Sequence, residues 1–429
     1  MRAAFWFIAL FGVAVAVALF AGDNDAVVTL FWAPHRVDIS LNLMVLLLFA
    51  AFALLHFALK ALSAVTSLPV QARRWRAQQK ERAMYAALME ALAHLLAGRF
   101  IRSSRSAENA LSQEKNLSQL IADVGIDSGH HASRSMQLRS LAHLLAAESA
   151  QFLQNRPVRD QHLAKALEDS SQRTLLATQE GIQLRAVRWA LDDRDPLLAL
   201  EWLAKLPVGA GRRTLALRMR LRAARLAGQT ELAMETARLL AKHRAFSVPA
   251  AQSIVRGLAI ELLNGAHEPD KLHKVWLTLD AHERAMPDVA VNAAARLMTL
   301  QGEASLARQW LAEVWTPVMH KRSELGDALR VKFILALEAS LDASDAQWLA
   351  RIETAVVARP GDANVEYLAG IACLKHQLWG KAQQLLAHAA LALQDPALKR
   401  KAWLSLATLA EQRNDAEAAQ LAFRRAAQL

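Results

Sequence analysis

Near the C-terminal end one spacing limits what this chain can become. Gly370, Cys373, Trp379, Ala382, Leu386 and Ala389 are followed by Ala407, Ala410, Ala416, Ala419, Phe423 and Ala426, every pair 37 residues apart. A unit of that length has room for two helices and their turns but cannot bury its own apolar face, so the spacing predicts helical hairpins stacked on one another. A small residue recurs where paired helices come closest, and a large apolar residue four positions further on fills the groove between them.

The same phase runs upstream through Ala295, Met298, Gly302, Ala307 and Leu311, and through Leu221, Ala224, Gly228, Ala233 and Ala237. A looser copy is Ala91, His94, Gly98, Phe100, Ala107 and Ala110. Glycine in the middle of each unit suits a turn that needs positive φ. Between 115 and 210 the match is degenerate and repeat boundaries cannot be placed. Trp403 and Leu406 open the final unit as in tetratricopeptide repeats, and the expectation is an α-solenoid of about seven to nine such pairs. A generic bundle would share the amphipathicity without the fixed interval.

Composition agrees with a folded, helix-rich chain: 54% of 429 residues are hydrophobic, with only 16 Gly and 11 Pro. The single cysteine, Cys373, excludes an internal disulfide framework or a cysteine-rich zinc site and fits a reducing compartment. A net charge of +11 calls for an anionic neighbour, and the distribution of that charge decides which.

Two uninterrupted apolar runs occupy Ala3 to Ala21 and Leu41 to Leu59. As helices each is about 28 Å long, near the roughly 30 Å hydrocarbon core of a bilayer. Asn42 and His56 lie close to the ends of the second run, within reach of headgroups. Between the runs Asp23, Asp25 and Asp38 outnumber Arg36, whereas Lys60, Arg73, Arg74, Arg76, Lys80 and Arg82 follow the second run against Glu81 alone. The positive-inside rule then places everything after the second run in the cytoplasm and "VVTLFWAPHRVDISLN" in an outside turn, where Pro34 interrupts and Asp38 or Ser40 caps the second helix. A cleaved signal peptide is the alternative for the first run, and it leaves that orientation unchanged. Arg73, Arg74, Trp75 and Arg76 form the membrane-interface cluster, read as a stop-transfer flank or as a site for anionic headgroups.

The predicted fold class is therefore all-α. A two-helix transmembrane hairpin spans 1–60, with helices at about 3–21 and 41–59 and a periplasmic loop at 22–40. A basic juxtamembrane segment follows at 61–82, then a cytoplasmic solenoid at 83–429. The anchor with "LFWAPHRVDISLNLMVLLL", the "RRWR" cluster, "LAGRF" and degenerate tetratricopeptide units together resemble the HemY family of proteobacterial inner-membrane proteins. The resemblance implies an inner-membrane protein linked to late protohaem synthesis, and it carries no catalytic residues with it. A flavin-dependent protoporphyrinogen oxidase shares the name, but the chain lacks the glycine-rich βαβ fingerprint of such a flavoprotein.

The search for reaction chemistry is negative. "HERAM", His282 to Met286, has methionine where a zinc-protease helix needs its second histidine. No phosphate-binding loop precedes Lys381, and neither a nucleophile elbow nor a haem-attachment sequence occurs. No catalytic residue, metal site or obligatory cofactor is expected, and the chain reads as a non-enzyme. Haem remains a possible ligand: His130 and His131 in the polar stretch "SGHHASRS", or Cys373 with His376 one turn on, are candidate axial ligands to iron. Against these stand a solvated loop for the first pair and ordinary core packing for Cys373.

The first helix of each pair lines the groove of a tetratricopeptide array. Arg218, Arg222 and Arg225 share one face of such a helix, and Asn292 and Arg296 occupy the matching place in another. This stripe suits an acidic peptide or the carboxylates of a porphyrin, or is simply a solvated charged face. Nucleic acid is not an expected partner, because no groove-reading motif occurs and much of the basic excess borders the membrane. Two functional readings follow: a membrane-anchored scaffold that gathers proteins, by resemblance late haem-biosynthesis enzymes, or a direct haem or porphyrin carrier or sensor.

Overall fold

The first apolar run is helical throughout as α1 (Arg2–Gly22), and the second opens a helix of 56 residues, α2 (Leu41–Leu96). The structure, a computed structural model, describes residues 2–22, 26–124, 129–320 and 326–428. Within α2 the stretch Leu41–Ser63 is long and apolar enough to cross a membrane, with none of it buried against protein; among the described residues it is the one helix that passes on length and composition. Asp23 and Asp25, and the side chains of Arg73, Arg74, His130 and His131, lie outside the described residues.

The segment between the runs corrects the all-helical expectation. It is a β-hairpin in which β1 (Val27–Trp32) pairs antiparallel with β2 (His35–Ser40), Val27 opposite Ser40 and Trp32 opposite His35. Its β-branched and aromatic residues favour strand, and Pro34 sits in the two-residue turn where no ladder hydrogen bond is required. Phe31 lies opposite Arg36 with the guanidinium 5.5 Å from its ring centroid. Ser40 rather than Asp38 caps α2, accepting from the Leu43 amide at 3.4 Å, while Asp38 pairs with Arg36 at 3.2 Å. α2 is unbroken from Leu41 to Leu96, so the boundaries expected at 60 and 82 both fall inside one helix.

The chain divides into two units, Met1–Gln179 and Glu180–Leu429. In the first, α2 packs on α3 (Phe100–Val124), α3 on α4 (Gly129–Phe152), and α4 on α5 (Arg156–Asp169). The contact of α2, α3 and α4 is built in layers: Met84 with Leu117 and Leu138, then Ala87 with Ala110 and Ala142, then Ala91 with Ala107 and Ala146. Alanine in two layers brings the backbones close enough for Ser103 to donate to the Ala91 carbonyl at 2.8 Å and for Ser149 to donate to Ser103 at 3.0 Å.

The unit boundary falls in the first turn of α6 (Leu176–Asp192), and the second unit continues through α7 (Pro196–Ala204), the short α8 (Val208–Gly211), α9 (Thr214–Leu226), α10 (Thr230–Lys242), α11 (Val248–Asn264), α12 (Pro269–Thr278) and α13 (Ala281–Arg284). It ends with α14 (Pro287–Thr299), α15 (Ala304–His320), α16 (Asp327–Ser340), α17 (Ala346–Ala358), α18 (Ala363–Lys375), α19 (Trp379–Ala392), α20 (Pro396–Gln412) and α21 (Ala416–Ala427). One apolar core runs from Leu217 to Leu409 through successive pairs, which is how stacked repeats share a core none could form alone. The 37-residue phase is visible in it: a Cβ built on Gly370 would stand 2.6 Å from Leu386 Cγ, and Trp379 and Ala416 begin the second helices of their pairs.

One turn recurs in both units. Gly98, Gln154, Arg194, Gly228, Gln377 and Asn414 have positive φ, and each stands two residues before the next helix. At each, its amide bonds the carbonyl three residues back and the next amide bonds the carbonyl five back, as Asn414 to Glu411 at 2.9 Å and Asp415 to Ala410 at 3.0 Å. This is the Schellman closure of a helix. The following residue then caps the next helix: Asn155, Asp195 and Asp415 accept from Val158, Leu198 and Ala418 amides. Gly302 departs from the glycine-turn expectation, since Gln301 carries the positive φ and Gly302 is needed because a Cβ there would collide with Leu297.

Candidate functional site

In the second unit the inner layer consists of the first helices of the pairs, and α11, α14, α16, α18 and α20 each touch the next. On α9, Arg218, Arg222 and Arg225 are all exposed, so the predicted common face exists. They are not equivalent. Arg218 donates to the Ala245 carbonyl at 2.7 Å and lies 5.6 Å from the Phe246 ring centroid, which ties it to the end of the neighbouring turn. Arg222 and Arg225 form no ion pair among the described residues.

On α14, Arg296 is likewise committed, with Nη2 donating to the Ala266 carbonyl at 3.0 Å and Nε at 3.3 Å. Asn292 is half-buried, and its Oδ1 is shielded from solvent without a partner among the described residues. Arg218 and Arg296 thus do the same work: each satisfies a carbonyl just beyond the end of a helix other than its own. The arginines of the stripe divide into two that hold the array together and two that face outward.

Three residues missed from the sequence join successive helices of this layer. Glu338 on α16 accepts from Tyr367 on α18 at 2.9 Å and from Lys401 on α20 at 3.0 Å. The repeat phase contains the signal, because Tyr367 stands three residues before Gly370 as Arg218 does before Leu221 and Asn292 before Ala295. Along the layer the chemistry passes from arginine on α9 to a tyrosine, glutamate and lysine cluster on α16, α18 and α20. Among the described residues of this layer no nucleophile and base are brought together.

Cys373 belongs to the core, fully buried on α18, and burial raises its thiol above the usual range. His376 caps the same helix and is half-buried. The packing reading of Cys373 is the one the geometry carries, because an outside iron could not reach its sulfur without opening the helix pair. His130 and His131 fall in the first turns of α4 rather than in a loop, and their side chains are outside the described residues. Trp75 and Arg76 are exposed on α2. Within "HERAM", Glu283 is buried and is gripped by Arg238 through bonds of 2.9 and 2.6 Å, so this segment is a clamp between α10 and α13.

A second polar cluster lies in the first unit. The Nδ1 atoms of His143 on α4 and His162 on α5 are 2.9 Å apart, so one ring donates to the lone pair of the other. His143 Nε2 is 3.9 Å from Asp169, which Arg139 holds at 3.0 Å, and Arg139 also faces Glu114 at 3.9 Å. Burial, then the neighbouring His162, Lys165 and Arg139, push His143 down to about 4. Burial and Lys165 also lower His162, whereas burial raises Asp169 against the pull of Arg139. Both rings are accordingly neutral near pH 7. Among the described residues no three His, Cys, Asp or Glu side chains are arranged to hold a metal ion.

Residues 27–124 match the family described as HemY protein N-terminus. No curated protein sequence matches the chain. Three solved structures overlap it at low sequence identity. The structure of Naa15/Naa10 bound to HypK-THB has 13% identity and a TM-score of 0.25, covering 77% of this chain and 56% of that one. This chain therefore spans little more than half of that relative. The P58(IPK) TPR domain has 14% identity and a TM-score of 0.23, covering 77% of this chain and 99% of that one. The Cut9-Hcn1 hetero-tetramer of APC/C has 12% identity and a TM-score of 0.28, covering 84% of this chain and 68% of that one. The repeat assignment rests on the chain's own spacing and helix pairing.

Proposed function

We propose that the chain, whose residues 27–124 match the HemY N-terminal family, is a membrane-tethered scaffold whose helix pairs gather partner proteins. One observation carries the reading: the exposed apolar stretch Leu41–Ser63 and the first packing helix of the repeats are parts of the same 56-residue helix. A rigid helical stem of this kind would fix the height of the first unit above a bilayer, which a flexible linker would not. In the proposal α1 crosses as well, the β-hairpin is the outside turn, and the basic flank keeps the repeats in the cytoplasm.

The scaffold works by raising the effective concentration of its partners at the membrane surface. The HemY resemblance makes enzymes of late protohaem synthesis the proposed partners, whose gathering would limit the escape of reactive porphyrins. The carrier reading keeps Arg222 and Arg225 as exposed groups for propionates and loses Cys373 as an accessible ligand. Crosslinking in intact membranes, with affinity purification of the full chain and mass spectrometry, tests the scaffold against a Leu47→Arg/Phe52→Arg chain with a broken anchor. Recovery of late haem-pathway enzymes that disappears with the broken anchor is the expected result, and recovery of background membrane proteins alone contradicts it.

A further inference from the structure

The turn joining α2 to α3 presents an apolar surface that neither helix covers. Leu96 is 81% exposed, Ile101 58%, Phe152 56% and Leu153 45%. Phe152 stacks on Phe100 with ring centroids 4.4 Å apart and planes 9° from parallel, so the surface has a rigid aromatic floor. Beside it is a cleft of about 490 Å³ lined by Gly98, Arg99, Phe100, Ile101, Arg102 and Leu153. The lining holds two arginines and no acidic residue, and neither arginine forms an ion pair among the described residues. Arg105, also exposed, follows one turn along α3, and the nearest carboxylate in sequence, Glu108, accepts from Ser104 at 3.4 Å.

We infer that this turn docks an acidic, apolar segment of a partner protein: a bulky apolar side chain enters the cleft against Phe100, Ile101 and Leu153, and flanking carboxylates engage Arg99 and Arg102. Apolar burial supplies the affinity, and the two forked cations select carboxylates over a neutral segment of equal hydrophobicity. A lipid surface is not the occupant on the tether reading, because α2 rises for about 50 Å between Ser63 and Leu96 at roughly 1.5 Å per residue.

The test uses the full chain in lipid nanodiscs and a fluorescent eight-residue peptide with tryptophan and leucine at its centre and glutamates on both sides. A control peptide carries glutamines in place of the glutamates. The acidic peptide should bind saturably and at least about tenfold more tightly than the control, with the difference shrinking in high salt. Arg99→Glu/Arg102→Glu should remove that preference, Leu153→Ser should weaken both peptides, and Arg222→Glu/Arg225→Glu should change nothing. All these side chains are exposed, so an unchanged melting temperature shows that each variant folds. Equal binding of the two peptides, absence of saturable binding, or indifference to the Arg99 and Arg102 reversal overturns the inference. Self-association abolished by Ile101→Asp would instead assign the face to a second copy of the chain. Since no membrane recruitment is measured, failure here is separate from failure of the tether.

Discussion

Tyr367 donates its phenol to Glu338 at 2.9 Å, and Lys401 reaches the other oxygen of the same carboxylate at 3.0 Å. One acid therefore ties together three successive inner helices. Tyr367 is fully buried, and burial followed by the charge of Glu338 raises its phenol well above the ordinary tyrosine range. Tyr367→Phe should destabilise the second unit by about 1–2 kcal/mol, because the carboxylate loses a buried partner while the ring packing stays. Lys401→Ala, removing an exposed cation, should cost under about 1 kcal/mol. Chemical denaturation of the two variants checks the order.

The histidine pair gives the first unit a pH dependence with a definite sign. His143 titrates near 4 when folded and near its ordinary 6.5 when unfolded, so between these values the unfolded chain binds more protons. The stability contributed is complete above about pH 6.5 and is lost as the pH falls towards 4. His162 acts in the same direction; Asp169, raised by burial, acts oppositely above its ordinary 3.8. His143→Gln should flatten the acid limb of the stability curve, and NMR titration of the imidazole should place the wild-type His143 midpoint near 4.

Gly370→Ala puts a methyl 2.6 Å from Leu386 Cγ and 3.2 Å from the Leu386 backbone nitrogen, so the helices of that pair must separate. The expected loss is about 1–3 kcal/mol. Arg194→Gly should do the reverse, gaining up to about 1 kcal/mol by relieving a non-glycine residue held at positive φ. Thermal melts of the two single variants, compared with wild type, measure both.

Cys373 is the single thiol, wholly buried and raised by its surroundings. Maleimide labelling of the native chain should be slower than that of the denatured chain by a factor of about 10² or more. Labelling at equal rates would show that the α18 and α19 pair opens readily.

The repeat was legible because it is enforced by volume: Gly370 must be small where Leu386 is large, and that requirement leaves a trace at a fixed interval. The turns were only partly legible. Gly98 and Gly228 announce positive φ, but Gln154, Arg194, Gln377 and Asn414 adopt it without a glycine, because the Schellman hydrogen bonds hold them there. The β-hairpin was hidden by its apolar flanks, which made "VVTLFW" resemble interfacial padding rather than a strand paired with "HRVDIS". Arg218 and Arg296 lie on helices α9 and α14, and helical period cannot tell an arginine that caps a neighbour's carbonyl from one that awaits a ligand. The meeting of His143 and His162 follows from the packing of α4 on α5 and leaves no spacing signature.

In the proposed tether α2 crosses a membrane and carries the repeats on its cytoplasmic side. Single cysteines at Thr29 in β1 and at Gln412 at the end of α20, each in a Cys373→Ala background, can be labelled with a membrane-impermeant maleimide in spheroplasts. Labelling at position 29 before permeabilisation, with position 412 reactive only afterwards, is the predicted result. Both positions reacting from the same side would contradict the tether and with it the scaffold at the membrane.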